Sequence, residues 1–387
     1  MRKRANLNIV VLAAGLVAGT AAWSAGAVQN YRATPLGTLG GTYAYGSAIN
    51  FSGQVTGQAD ISGEFVHVRA FLYSSGTMMD LGTLGGSNSA GNGLNRTAQV
   101  TGSAALINQA GHAFLYAGGV MQDLGTLGGA ESSGAAVNDN GQVAGSSRTA
   151  GNGSQHAFLY SAGSMVDLGS FPSGTFSVGS GINANREVTG SADIFRFGTI
   201  IHAFVYSGGT MIDIGTLGGI NANSFGVAIN DAGEVTGYDD GSFLGRRAFL
   251  YTHGTMLNLG TLGGGESQGY GINNKGQVVG TADKPVAIFR VPVAFLYSDG
   301  AMYDLNALVV SGLGNATLIS AAGINDSGQI IANTCLVPGL GSGCRPYLLD
   351  PIPVSPPIIV PTLSNWALSA MVMLLLASGL LTRRHIN

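Results

Sequence analysis

The feature that most constrains this chain is a glycine-rich phrase that returns at nearly constant intervals. LGTLGG begins at residues 36, 81, 124 and 259, and IGTLGG begins at residue 214. Degenerate copies, LGSFPSG and LNALVVSG, begin at residues 168 and 305, so successive starts are 45, 43, 44, 46, 45 and 46 residues apart. A period of this length is typical of structural repeats in which each unit packs on its neighbours. The sequence therefore predicts seven similar units.

Two further phrases recur in step with the first. The phrase exemplified by AINDAGEVTG, from Ala228, has seven variants, and AFLY or AFVY occurs six times, with PYLLD as a weaker seventh copy. A short turn and M-x-D follow most copies of AFLY. Each unit thus holds four short runs of β-branched, aromatic and apolar residues separated by turn formers, which predicts four antiparallel strands. Four such strands in about 44 residues are typical of one β-propeller blade.

The ends of the repeat region indicate how the units are joined. The last unit ends at PYLLD without an M-x-D strand, whereas YRATPLGTL, residues 31–39, precedes the first unit and aligns with GTMMDLGTL, residues 76–84. We therefore expect an all-β, seven-bladed β-propeller over residues 28–350, closed by a strand at 31–37, with LGTLGG as the crossing between units. An open β-solenoid of the same repeats is the alternative. The predicted units span residues 36–80, 81–123, 124–167, 168–213, 214–258, 259–304 and 305–350.

The same phrases resemble the HAF family of extracellular repeat proteins, which is named after His-Ala-Phe. The full triplet stands at His112, His156 and His202, and its first position is elsewhere taken by arginine or valine, at Arg69, Arg247 and Val293. The resemblance covers residues 36–350 and implies an extracellular location. It implies no established reaction.

Residues 1–27 are typical of a secretory signal peptide. MRKR precedes the apolar run LNIVVLAAGLVAGTAAW, and in the following SAGA the residues Ala25 and Ala27 fit the A-x-A cleavage pattern. We place the cleavage by signal peptidase after Ala27. An uncleaved membrane anchor is the alternative.

The C-terminal residues form a second targeting segment. A proline-rich linker at 351–360 precedes residues 361–387, in which an apolar helix at about 367–382 is just long enough to span a membrane. Arg383 and Arg384 follow it directly, which favours a cytoplasmic C-terminus. This order resembles the IPTL-CTERM sorting signals of Gram-negative bacteria, relatives of the PEP-CTERM signals that exosortase-type enzymes read. The residues that carry the resemblance are Val360, Pro361, Thr362, Leu363, Ser364 and Trp366.

The resemblance implies processing near Pro361 by an exosortase-like enzyme and delivery to the cell surface or the medium. Before processing, the C-terminal helix would hold the exported chain in the inner membrane. A plain single-pass anchor, which would hold it there permanently, is the alternative.

Composition limits the possible partners. The 387 residues include 63 glycines and are 45% hydrophobic but only 10% charged, which disfavours intrinsic disorder. The only lysines are Lys3, Lys275 and Lys284, too few for a nucleic-acid-binding surface. We expect no nucleic-acid partner and no cofactor.

Candidate binding residues lie in the loop between the second and third strands of a unit. This loop varies while the scaffold repeats, and it shares one face of the blade with the LGTLGG crossing. Aromatic and arginine side chains are enriched at binding hot spots. The candidates are Phe65, His67, Phe195, Arg196, Phe197, Phe243, Arg246, Arg247, Phe289 and Arg290. Strand ends that pack on neighbouring blades are the alternative interpretation.

Three recurrent polar features have structural interpretations. The HAF histidines suggest zinc, but a ring holds equivalent atoms well apart, so we expect hydrogen bonds to a neighbouring strand and no metal site. The aspartate of M-x-D is replaced by Asn258 in unit five, and asparagine accepts the same hydrogen bonds without acid–base chemistry. Cys335 and Cys344 flank the variable loop of unit seven, where we expect a disulfide. A free reactive pair is the alternative.

These features favour a secreted or surface-displayed module that binds a glycan, a matrix polymer or a protein without catalysis. No unit shows a unique group of Asp, Glu, His and Tyr such as glycan hydrolysis or nucleophilic catalysis requires. A secreted propeller enzyme acting on polysaccharide, as a hydrolase or lyase, is the alternative. A purely structural coat component is a third possibility.

Overall fold

A computed structural model describes residues 29–61, 67–195, 200–219, 221–241, 245–286, 289–335 and 343–353. The chain divides into two units, Met1–Ile352 and Pro353–Asn387. The predicted signal peptide, sorting motif and C-terminal helix lie outside the described residues. Within the described ranges, no helix has the length and apolar character needed to cross a membrane.

The described residues form seven β-sheets, which are the blades of a propeller. The strands are as follows. The chain begins with β1 (Tyr31–Pro35). Blade 1 contains β2 (Gly40–Ile49), β3 (Val55–Ile61), β4 (Val68–Ser74) and β5 (Thr77–Asp80). Blade 2 contains β6 (Gly85–Leu94), β7 (Val100–Leu106), β8 (Gly111–Ala117) and β9 (Val120–Asp123). Blade 3 contains β10 (Gly128–Val137), β11 (Val143–Thr149), β12 (Gln155–Ser161) and β13 (Ser164–Asp167), with a 3-10 turn at Ala150–Asn152.

The remaining blades follow the same order. Blade 4 contains β14 (Ser177–Ile182), β15 (Val188–Asp193), β16 (Ile201–Ser207) and β17 (Thr210–Asp213). Blade 5 contains β18 (Ser224–Ile229), β19 (Val235–Asp239), β20 (Arg247–Thr252) and β21 (Thr255–Asn258). Blade 6 contains β22 (Ser267–Ile272), β23 (Val278–Val286), β24 (Phe289–Ser298) and β25 (Ala301–Asp304). A helical turn α1 (Leu305–Leu308) and β26 (Val309–Ser311) lead to blade 7, which contains β27 (Ser320–Ile324), β28 (Ile330–Asn333) and β29 (Pro346–Pro351).

The recurrent phrases form the core between blades. The phenylalanine of each AFLY or AFVY copy is fully buried, at Phe71, Phe114, Phe158, Phe204, Phe249 and Phe295. The glycine of the neighbouring VTG phrase makes room for this ring. A Cβ at Gly237, for example, would lie 1.9 Å from the carbonyl oxygen of Phe225 and 3.1 Å from the ring of Phe249. Because no side chain fits there, the phrase requires glycine at this position.

The LGTLGG phrase forms the crossing between blades, as predicted. After blade 1, the Asp80 carboxylate accepts a hydrogen bond from the Gly82 amide at 2.8 Å. The Thr83 hydroxyl accepts one from the Gly85 amide at 3.2 Å and donates one to the Gly86 carbonyl at 3.0 Å. Gly82 and Gly85 have φ angles of 77° and 103°. These left-handed conformations explain why glycine recurs at both positions.

A circuit of hydrogen bonds joins all seven blades. Each turn between the first and second strands begins with a buried asparagine. Its Nδ2 donates to the main-chain oxygen of the equivalent asparagine in the next blade at 2.9–3.1 Å. The last of them, Asn325, donates to Asn50 at 2.9 Å. The circuit, through Asn50, Asn95, Asn138, Asn183, Asn230, Asn273 and Asn325, therefore closes on itself and shows a closed ring rather than an open solenoid.

The N-terminal strand completes blade 7, which confirms the predicted closure. β1 pairs antiparallel with β29, in a register that runs from Tyr31 opposite Pro351 to Pro35 opposite Tyr347. The predicted closing strand at 31–37 is therefore shorter and ends at Pro35.

The crossing into blade 7 differs from the other crossings. LNALVVSG forms α1 and β26 instead of the glycine-rich turn, and β26 pairs in parallel with β1. Leu305 and Leu308 are buried in one core cluster with Tyr31 and Ala33. The apolar residues of this degenerate copy thus form a second contact that holds the closing strand in place.

Candidate functional site

The first strand of each blade lines a central channel, and the two ends of the channel differ. We call the end formed by the asparagine turns the turn end. We call the end formed by the crossings and by the loops between second and third strands the crossing end. A cavity of about 200 Å³ lies at the turn end, and one of about 600 Å³ extends from the channel centre towards the crossing end. The larger volume is in the range of small-molecule binding sites.

One ring of channel residues shows where the repeat is broken. The residue three places before each ring asparagine lines the larger cavity in all seven blades, at Ser47, Asn92, Ala135, Ser180, Val227, Tyr270 and Ala322. Six of these residues are small or of moderate size, whereas Tyr270 places an aromatic ring in the channel. At this level of the channel, blade 6 therefore differs from the other six blades by its aromatic side chain.

Three tyrosines from three blades converge on the larger cavity. Tyr45 comes from blade 1, Tyr238 from blade 5 and Tyr270 from blade 6, and we call them the tyrosine wall. Phe225 supports the wall from behind, since its ring stacks on Tyr238 with centroids 4.9 Å apart and planes at 24°. The Tyr270 hydroxyl donates a hydrogen bond to Gln268 Oε1 at 3.3 Å.

The phenols of the tyrosine wall are neutral at physiological pH. Burial raises the pKa of Tyr270, the nearby Tyr45 and Tyr238 raise it further, and Arg246 acts in the opposite direction. Burial also raises the pKa values of Tyr45 and Tyr238. The wall therefore offers flat apolar faces with hydroxyl groups that donate and accept hydrogen bonds.

A charged pair flanks the tyrosine wall in blade 5. The Arg246 guanidinium lies over the Tyr238 ring, 5.7 Å from its centroid. Its Nε lies 3.6 Å from Asp240 Oδ1, and both side chains are about four-tenths exposed. Arg246 is thus a predicted binding residue that the structure places at the crossing end, beside the cavity.

The turn end carries a different set of groups. Arg96 Nε lies 3.2 Å from Asp139 Oδ2, and its guanidinium also approaches Asp326 at 3.9 Å. The same guanidinium lies over the exposed ring of Phe51, 5.0 Å from its centroid. Asp231 also lines this mouth, so one arginine faces three carboxylates and the turn end is acidic, unlike the uncharged side chains that line the larger cavity.

Arg247 has an interblade contact rather than an exposed position. Its guanidinium donates to the Gly265 carbonyl of the next blade. Arg69 and Arg345, at the equivalent place in blades 1 and 7, donate in the same way to the carbonyls of Ser87 and Thr42. This matches the alternative interpretation, in which the predicted residues are strand ends that pack on a neighbouring blade.

Of the other predicted binding residues, Phe195 and His67 are described and lie at the crossing end. Phe195 is 54% exposed, and His67 is partly buried at the start of the strand β4. Phe289 and Arg290 belong to β24, but their side chains lie outside the described part of the structure. Phe65, Arg196, Phe197 and Phe243 fall outside the described residues altogether.

The HAF histidines make the structural hydrogen bonds that their recurrence predicts. His112, His156 and His202 each place Nδ1 2.7–2.9 Å from a carboxylate oxygen of the M-x-D aspartate on the adjacent strand. That aspartate, or Asn258 in blade 5, also accepts from a main-chain amide two residues later at 2.7–2.9 Å. The histidine and the aspartate therefore fix the end of the fourth strand where the crossing begins.

The predicted disulfide between Cys335 and Cys344 is present. Cys344 is buried in a small cluster with Tyr43 and Tyr45 of blade 1. The Ala44 amide also donates to the Cys344 carbonyl at 3.1 Å. The disulfide thus lies at the contact between the last and first blades, directly behind one member of the tyrosine wall.

The tyrosine wall was not predicted from the sequence. The expected sign of a catalytic site is a unique group of Asp, Glu, His and Tyr within one unit, whereas these three tyrosines come from three different units. Aligning the seven units by their ring asparagines reveals Tyr270 in a column of smaller residues. Tyr45 stands in a column that also holds Phe225, Gln268 and smaller residues. This signal was present in the sequence, although convergence of the three rings depends on ring closure.

The solved proteins named below resemble this chain at low identity. No protein-family model and no curated protein matches the chain. Among solved structures, the β-propeller domain of the Trilobed protease from Pyrococcus furiosus is 12% identical, covers 68% of this chain and 83% of its own, and gives a TM-score of 0.49. A gluconolactonase from Xanthomonas campestris is 10% identical, covers 83% and 90%, and gives 0.39. The Aleuria aurantia lectin with α-methyl-L-fucoside is 11% identical, covers 85% and 95%, and gives 0.34. At these identities and TM-scores, the likenesses carry no function to this chain.

Proposed function

We propose that the chain is a non-catalytic binding module that takes a carbohydrate at the crossing end of its channel. The observation that carries this proposal is the tyrosine wall, in which three neutral phenols from separate blades line one cavity of about 600 Å³. Sugar rings have apolar C–H faces and many hydroxyl groups. Aromatic faces combined with amide and hydroxyl partners match both features.

The polar groups of the cavity support binding of an uncharged ligand. Apart from the three tyrosines, the polar side chains that line the described cavity are amides and hydroxyls, at Ser47, Asn92, Ser180 and Gln268. Such groups hold sugar hydroxyls without requiring a change of protonation.

The predicted targeting segments give this binding module its place of action. A signal peptide over residues 1–27 and a sorting signal over residues 361–387 would export the propeller and leave it at the cell surface or in the medium. Extracellular polysaccharide or matrix material would then be the available ligand. This part of the proposal stands on the residue pattern of residues 1–27 and on the resemblance of residues 361–387 to sorting signals.

Glycan binding to the full-length protein tests the proposal. We would screen the protein on a glycan array and then measure dissociation constants by calorimetry for the glycans retained. Tyr270→Ala should weaken binding by about tenfold, since an aromatic contact and its buried area are worth ~1.4 kcal/mol or more. Tyr270→Phe keeps the ring and should weaken binding by about threefold or less, the cost of one neutral hydrogen bond.

Phe51→Ala provides the matched control because it removes an exposed aromatic ring at the opposite end of the channel. Affinity should be unchanged in this variant. No retained glycan, or equal losses in the Tyr270→Ala and Phe51→Ala variants, would contradict the proposal. Cleavage of a polysaccharide during the same screen would instead support the enzyme alternative.

A further inference from the structure

A second cavity lies at the crossing end, between blades 2 and 3. Its volume is about 200 Å³, and its lining combines Gly111 of blade 2 with polar residues of blade 3, which include Glu131, Ser133, Ser146, Arg148 and Gln155. None of these residues belongs to the predicted binding set or to the tyrosine wall. The cavity is therefore separate from the tyrosine wall.

This cavity occupies the place in blade 3 that the Tyr238 group occupies in blade 5. Ser133 pairs with Ser146 in the same register in which Phe225 pairs with Tyr238. Two residues beyond Ser146 lies Arg148, as Asp240 lies two beyond Tyr238. The two blades thus present an aromatic and a hydroxyl-bearing version of the same surface at the same end of the channel.

Gln155 of blade 3 and Arg246 of blade 5 also occupy equivalent positions. Gln155 lies two residues before Ala157, the partner of Ser146, as Arg246 lies two residues before Ala248, the partner of Tyr238. Gln155 Nε2 donates to the Ser146 hydroxyl at 2.8 Å, which leaves the Gln155 carbonyl oxygen directed to other donors. Ser133 and Ser146 are each partly buried, so their hydroxyls lie in a recess rather than on a flat surface.

We propose that this recess is a second carbohydrate subsite, which binds the hydroxyl groups of a sugar unit in the same chain whose other unit stacks on the tyrosine wall. The hydroxyls of Ser133 and Ser146, the Gln155 amide and the Arg148 guanidinium supply donors and acceptors for a polyhydroxylated ring. The inference rests on the proposed function and deepens it. The ligand is then an oligosaccharide or polysaccharide rather than a single sugar, because its units must reach blades two apart.

Gly111 offers a way to fill the recess without straining the fold. A Cβ added at this glycine meets no atom within 4 Å, and its φ angle lies outside the left-handed region. Gly111→Leu therefore puts an aliphatic side chain into the recess. Gly153→Leu is the matched control, since a Cβ at Gly153 also meets no atom within 4 Å and this residue does not line the recess.

Calorimetric titration with cello-, malto-, laminari- and chito-oligosaccharides of one to six units tests the inference. In at least one series, the full-length protein should bind four or more units about tenfold more tightly than one or two units, as several added hydrogen bonds allow. Gly111→Leu should remove that gain while leaving the affinity for the monosaccharide and disaccharide within about twofold. Gly153→Leu should keep the full gain.

The outcomes separate this inference from the proposed function. Binding that does not change with chain length, or a gain that survives Gly111→Leu, overturns the second subsite while the tyrosine wall still stands. Absence of binding in all four series and on the glycan array overturns both proposals. Equal loss in the Gly111→Leu and Gly153→Leu variants also overturns the subsite, because the effect would then not depend on the recess.

Discussion

At the scale of the residue, asparagine holds the ring together. Asn138 is 6% exposed, and its side chain takes part in four hydrogen bonds. Its Oδ1 accepts from the amides of Asn140 and Gln142, while its Nδ2 donates to Gln142 Oε1 and to the Asn183 carbonyl of the next blade. One side chain therefore fixes its own turn and the contact between two blades.

Replacing this asparagine should destabilise the protein more than replacing an exposed neighbour. Asn138→Ala leaves the buried Gln142 amide without its acceptor and removes one donor each from Gln142 Oε1 and the Asn183 carbonyl. We therefore expect the free energy of unfolding to fall by about 2–4 kcal/mol. Asn140→Ala, in the same turn but exposed, should change it by less than about 0.5 kcal/mol. Chemical denaturation of both variants measures the difference, and similar values for the two would contradict the role assigned to Asn138.

The sequence predicts the turn at Asn138 but not the contact of Asn138 with the next blade. Asn, Asp and Gly in the phrase AVNDNGQVAG predict a tight turn, because turn chemistry is local. The bond from Asn138 to the next blade depends on how two blades pack, which no local pattern specifies. In the same way, the recurrence of His156 and Asp167 predicts a structural hydrogen bond, but not that arginine at the equivalent place in other blades contacts a neighbouring carbonyl instead.

At the scale of the element, β1 closes the ring between two partners. It pairs with β29 on one side and with β26 on the other. Tyr31 is 1% exposed, and burial raises its pKa to about 12. The phenol is protonated in the folded state up to that pH, whereas in the unfolded chain it ionises near pH 10.

This shift predicts a loss of stability in alkali. A pKa that is higher in the folded than in the unfolded state stabilises the fold fully below pH 10 and loses that contribution as pH rises from 10 to 12. Across this window, the free energy of unfolding of the unmodified protein should therefore fall by about 1.4 kcal/mol per pH unit more than that of the Tyr31→Phe variant. Denaturation curves of both proteins between pH 9 and 12 measure the difference, and parallel pH profiles would show that Tyr31 does not remain protonated in the fold.

The elements were predictable to the extent that their signals are local. AFLY, VTG and M-x-D specify strands through periodicity, and YRATP was recognisable as a spare strand by alignment with GTMMD. β26 was not predicted, because LNALVVSG resembles a degenerate copy of LGTLGG. The sequence alone does not show that Leu305 and Leu308 pack in one cluster with Tyr31. The tyrosine wall was also not predicted, because Tyr45 of blade 1 and Tyr270 of blade 6 come together only when the first and last blades meet in the closed ring.

At the scale of the whole molecule, a scaffold of seven similar blades carries the proposed binding site on some of its blades only. The scaffold is repeated through its phenylalanines, crossings and ring asparagines. The site is assembled from positions where the repeats differ, with an aromatic wall from blades 5, 6 and 1 and a polar recess in blade 3. Since the wall spans the contact between blades 7 and 1, the proposed binding function requires the closed ring.

Closure by β1 is thus the central claim, and amide hydrogen exchange of the full-length protein tests it most directly. If β1 completes blade 7, its amides should exchange as slowly as those of the interior strand β8, because both would open only with the fold itself. Exchange of the Tyr31–Pro35 segment at the rate of an unstructured peptide, with β8 still protected, would contradict the account.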